Sequence, residues 1–136
     1  MEQFKSKYIE ALNLEIKNLK ENGNKLRLEG SVDEAKFEMI KVNIVDIFSK
    51  MFMVSYNNVY VKANNQNLKS ILEENIDDKE KLIKCYEFLL TNITKPWREK
   101  LEKDKQFNLV EKSMIEEVKI EQSEKIQNMF KNMINE

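Results

Sequence analysis

With one proline and two glycines in 136 residues, the chain offers almost nothing that interrupts a helix, and its apolar residues recur at spacings of three and four. Phe4, Tyr8, Leu12, Ile16, Leu19, Gly23 and Leu26 fall on one stripe of a helix over residues 2 to 29. Gly30 can adopt the positive φ of a helix end, and Ser31 with Glu34 reads as a capping box that opens the next helix. The two helices should therefore fold back as a tight antiparallel hairpin. A first helix of roughly 40 Å, at 1.5 Å per residue, needs a partner of similar length.

That partner, starting at Val32, is the most apolar part of the chain. Phe37, Met39, Ile40, Val42, Ile44, Val45, Ile47, Phe48, Met51, Phe52, Met53 and Val54 cover more than one face, which places this helix at the centre of the fold. Residues 53 to 61 admit a second reading, because Asn57-Asn58 between β-branched and aromatic residues is a hairpin signal. No other strand is available to support a hairpin, so the helix is expected to continue to about Asn57, with an Asn-rich connection through Asn67. A short helix should follow, from Asn67 to Glu74, and Asp77 with Glu80 resembles another N-terminal cap.

The next helix carries Leu82, Cys85, Leu89 and Ile93 on one stripe. Pro96 biases Lys95 away from helical angles, which predicts a break near Thr94 and a separate short helix bearing Trp97 and Leu101. Asn108 to Glu111 then caps a long terminal helix with Ile115, Val118, Ile126, Met129 and Met133 on its inner face. The fold class is all-α: a helical bundle built on a long antiparallel helix hairpin, about five or six helices, in one domain of residues 1–136.

Composition bounds the setting. Hydrophobic residues make up 41% and charged residues 35%, too apolar for a disordered chain and too charged for a membrane-embedded one. No stretch approaches the roughly 18 apolar residues of a membrane span, and the first residues lack a signal-peptide core, so a cytoplasmic protein is expected. The 23 basic and 24 acidic residues are interleaved, and only Arg27 and Arg98 are arginines. Lysine is the poorer residue for bidentate contacts to phosphate or guanine, so tight nucleic-acid binding is not expected.

The absence of histidine removes Ser-His-Asp and Cys-His catalysis, HExxH zinc sites and Glu-x-x-His di-iron sites. Glycines at Gly23 and Gly30 alone cannot form a P-loop, a dinucleotide fingerprint or an EF-hand turn. Cys85 sits on an apolar stripe with no imidazole to activate it, and reads as a small buried hydrophobe rather than a nucleophile. Glu73, Glu74, Asp77, Asp78 and Glu80 could hold a hard cation, but the same acids are what a helix N-terminus favours. Glu117 and Glu121, one turn apart, read as a solvated face rather than an acid/base pair. Met51, Met53, Met129 and Met133 read as core before partner surface, and Trp97 as a plug where two helices diverge before an interface anchor.

No catalytic, cofactor-binding or metal residue follows, and neither a cofactor nor a small-molecule substrate is indicated. The expectation is a non-enzymatic protein acting through protein contacts, with a second copy of itself (a homodimer) or another protein as partner and no membrane. Leu14, Leu28 and Ile120 lie off the stripes, and with the apolar excess of the second helix they point to an interface built from the long helices. The alternative is a nucleic-acid-associated or regulatory helical module, since lysines are plentiful and helix-turn-helix geometry is compatible with the pattern.

Overall fold

The computed structural model describes residues 1–136 and is 86% helical, with five helices and no strand. The helices are α1 (Glu2–Leu28), α2 (Val32–Tyr60), α3 (Lys69–Leu72), α4 (Asp78–Gln106) and α5 (Val110–Ile134), and a 3₁₀ turn at Gln66–Leu68 leads into α3. The four long helices run up, down, up, down. Helix α2 packs against α1, α4 and α5, while α1 meets α5 over a shorter stretch, so α2 is the central helix that its composition demands. Both hairpin turns lie at one end of the bundle. The chain termini and the connection from Val61 to Asp77 lie at the other.

The two hairpin turns close in the same way. Gly30, at φ 86°, donates its N–H to the Arg27 carbonyl at 3.1 Å, and the Ser31 N–H reaches the Leu26 carbonyl at 2.8 Å. Asn108, at φ 55°, repeats the pattern: its N–H meets the Lys105 carbonyl at 3.2 Å, and the Leu109 N–H meets the Asp104 carbonyl at 2.8 Å. Both are Schellman turns, which need a left-handed residue just past the helix, and Asn is the best non-glycine for that position.

Several expectations need correction. Ser31 occupies the N-cap of α2, but its side chain makes no capping bond, so the capping box is not formed. Its N–H closes the preceding turn and its ψ is 65°, away from the extended region that aims a cap side chain at the first helical amides. Asn108 likewise ends α4 instead of capping α5, whose N-cap is Leu109 with no side-chain bond. Asp77 does cap as expected, its Oδ1 accepting from the Glu80 N–H at 2.8 Å.

Residues 53 to 60 continue α2, and no hairpin forms. Asn58 instead secures the end of the helix: its Nδ2 donates to the Val54 carbonyl at 2.7 Å, and its Oδ1 accepts from the Asn65 N–H at 2.8 Å. The break at Thr94 is absent, because α4 passes through Pro96 without ending. Pro96 is exposed, while Leu90 and Thr94 before it are buried and Trp97 and Leu101 after it are partly so. Packing on both sides outweighs the loss of one backbone hydrogen bond.

The core differs along its length. Toward the termini it is aromatic: Phe4, Tyr8, Phe52, Tyr86 and Phe130 pack ring against ring, with Tyr86 and Phe130 centroids 4.8 Å apart. Toward the turns, polar side chains point inward. Helix α5 buries Ser113, Glu116, Ile120, Ser123, Ile126, Phe130 and Ile134. Of the face expected from the sequence, only Ile126 is fully buried; Ile115, Val118, Met129 and Met133 flank it.

Candidate interaction surface

Between α4 and α5, toward the turns, a charge cluster replaces apolar packing. Lys100 Nζ lies 3.2 Å from Asp104 Oδ2 on its own helix and 3.5 Å from Glu116 Oε1 on α5. Lys119 reaches the same Glu116 oxygen at 3.4 Å and stands 5.8 Å from the centre of the Trp97 ring. Glu116 is fully buried, and its other oxygen, Oε2, has no hydrogen-bond partner. The α4–α5 hairpin is thus held near its turn by ion pairs whose lysines reach water, a weaker clamp than apolar packing of similar size.

Beyond this cluster the first turns of α2 and α5 diverge around a groove of about 400 Å³, floored by Phe37, Ile40, Met114 and Ile115 and edged by Asp33, Lys36 and Glu111. The hairpin turns beside it carry apolar side chains into solvent. Leu28 is 90% exposed, Phe107 65% and Val110 68%, with Val32, Leu109 and Met114 also exposed. The remaining exposed large apolar side chains, among them Leu14, Met39, Val61 and Phe88, are spread singly over the rest of the molecule, as is ordinary for a folded protein. A cluster at one end, rimmed by charge, is the pattern of a contact surface.

The residues singled out in the sequence fall as follows. Cys85 is fully buried among the core residues, and burial, followed by the Glu74 carboxylate, pushes its thiol up to about 11. The acidic run divides: Asp77 caps α4, Glu74 pairs with Lys84 at 2.6 Å, and no three His, Cys, Asp or Glu side chains converge on a point that could hold a metal. Glu117 pairs with Lys105 at 3.7 Å across the α4–α5 hairpin, and Glu121 is exposed. All four methionines pack at the edge of the core. Trp97 sits in the middle of α4 against the core edge and does not mark a helix end.

Of the three off-stripe residues, Leu14 and Leu28 are exposed, but Ile120 is buried on the inner face of α5, so it supplies no contact surface. Nor does α2 leave a bare side, since three helices cover most of its apolar residues. Exposed apolar side chains are denser at the turn end than along the flanks of the long helices. The sequence held a signal for it in Phe107, Leu109 and Val110, three apolar residues in a turn where polar ones are the rule. Glu116 had no such signal, because a lone acid among Lys and Glu residues looks solvated.

No helix of the chain is long and apolar enough to cross a membrane. Comparison with protein-family models, with curated proteins and with solved structures finds no match.

Proposed function

We propose that this chain is a non-enzymatic helical module that works through protein contacts in the cytoplasm, and that the turn end of the bundle is its contact surface. The observation that carries the reading is the exposure of Leu28, Val32, Phe107, Leu109, Val110 and Met114 in and next to the two hairpin turns, at the end of the bundle where the apolar groove also opens. Folding alone gives no reason to hold six apolar side chains in water at one end, whereas burial against a partner recovers roughly 25 cal/mol for each Å² covered. The mixed charges at the rim suit a protein surface and give no uniform field for phosphate.

A photo-activatable amino acid placed at Val110, with Glu87 on the far half of α4 as control, tests this in cells expressing the chain. Crosslinks to protein at Val110 and none at Glu87 are expected. Equal crosslinking at the two positions, or crosslinking at neither, overturns the reading.

A further inference from the structure

We infer that the turn half of the α4–α5 hairpin, residues 97 to 119, opens as one unit while the rest of the bundle stays folded, with Lys100 as its latch. The opening belongs to the chain alone and stands apart from the reading of the turn end as a protein-contact surface. Between Leu90 and Ile120 no apolar side chain is buried; the buried ones there are Thr94, Asp104, Ser113 and Glu116, all polar. Of the partly buried apolar residues in the unit, only Trp97 packs against the main core cluster. A segment with so little buried apolar area is the part of a fold that opens first.

The unit has a boundary on each helix. Lys119 stands 5.8 Å from the centre of the Trp97 ring, so Pro96 and Ile120 lie level across the hairpin. Pro96 leaves the Asn92 carbonyl without its helical donor, and Ser123 Oγ donates back to the Ile120 carbonyl at 2.7 Å, a bond that favours bending. Charge holds the unit shut. Lys100 Nζ is shared by Asp104 at 3.2 Å and Glu116 at 3.5 Å, whereas Lys119 reaches Glu116 alone. Closure leaves Glu116 Oε2 buried without a partner, and opening gives that oxygen to water. Opening would draw Met114 and Ile115 away from Phe37 and Ile40 and widen the groove between the starts of α2 and α5. Anything that binds the open form more tightly shifts the chain toward it.

Amide hydrogen exchange, resolved by residue on the native chain, Lys100→Met and Glu116→Leu, is the test. In the native chain the helical amides of 101–106 and 114–119 should share one protection factor, at least about a hundredfold below those of Phe48 and Tyr86. Lys100→Met strands two buried carboxylates and should speed those amides alike, at least about tenfold, with Tyr86 unchanged. Glu116→Leu replaces the half-satisfied carboxylate by apolar volume and should slow them at least about tenfold. Protection equal to that of Tyr86 overturns the inference. So does protection that rises residue by residue from the turn and ignores both variants, since that is fraying and not a unit. A Lys100→Met chain that loses protection at Phe48 and Tyr86 as well also overturns it, because the hairpin then has no opening of its own.

Discussion

Tyr8 and Tyr86 face each other inside the aromatic half of the core, their hydroxyl oxygens 2.7 Å apart and both buried. Tyr86 has a second partner, the Phe48 carbonyl at 3.2 Å, which can only accept. Tyr86 therefore donates to Phe48, and Tyr8 donates to Tyr86. The order has a consequence: Tyr86→Phe strands the Tyr8 hydroxyl without an acceptor, a loss of about 1–3 kcal/mol, while Tyr8→Phe leaves Tyr86 bonded and costs about 0.5–1.5 kcal/mol. Denaturant melts of the two variants should rank them so; equal losses would contradict the assigned direction. At Glu38 burial opposes ionisation, but hydrogen bonds from Lys41 and Asn22 outweigh it and hold the carboxyl below its ordinary 4.5. A value lower in the folded state means that the ionised carboxylate stabilises the fold above about pH 4.5 and that this share is lost as pH falls through the lowered value. The stability gap between the native chain and Glu38→Gln should accordingly be widest at neutral pH and narrow in acid; a constant gap in urea melts would refute it. Individual roles of this kind were not legible in the sequence. Tyr8 could be placed on a stripe, but its partner lies 78 residues away.

Helix identity was legible almost throughout, because periodicity and the scarcity of breakers agree over every long segment. Errors arose where a local rule met tertiary packing. Pro96 is the clearest case: the residue signals a stop, yet inward-facing side chains on both sides hold one helix. Pro96→Ala would restore the missing backbone donor and remove the ring's clash, and should stabilise the fold by about 1–3 kcal/mol. Destabilisation would show that the proline's shape is needed in place. The two glycines should respond in opposite directions. Gly30 has φ 86°, so Gly30→Ala should destabilise by about 1–2 kcal/mol. A Cβ at Gly23 would meet the Glu38 Cβ at 3.5 Å and the Ala35 carbonyl oxygen at 3.9 Å, both ordinary contacts, so Gly23→Ala should stabilise α1 by about 0.5–1 kcal/mol. Thermal melts of the pair check both signs. The inner face of α5 was misread for a different reason: Ser113, Glu116 and Ser123 break the apolar stripe that sequence reading follows.

Across the whole molecule, stability and surface are separated along the bundle axis. The half near the termini holds the interlocked aromatic rings and the tyrosine pair, and the buried apolar cluster extends from there past the middle of the bundle to Leu19 and Val42. The half near the turns holds the ion-paired Asp104 and Glu116, the apolar groove and most of the exposed apolar side chains. Such a division leaves the turn end free to change its exposed side chains without disturbing the aromatic part of the core. The sequence reading looked for a contact surface on the flanks of the helices, because stripes record which side of a helix is covered and say nothing of its ends. Only the folded bundle brings Leu28 of one turn and Phe107 and Val110 of the other to the same end of the molecule. The direct measurement is crosslinking in cells from a photo-activatable amino acid at Val110 compared with Glu87. The account predicts crosslinks to protein at Val110 and none at Glu87; equal crosslinking at the two positions, or none at either, would contradict it.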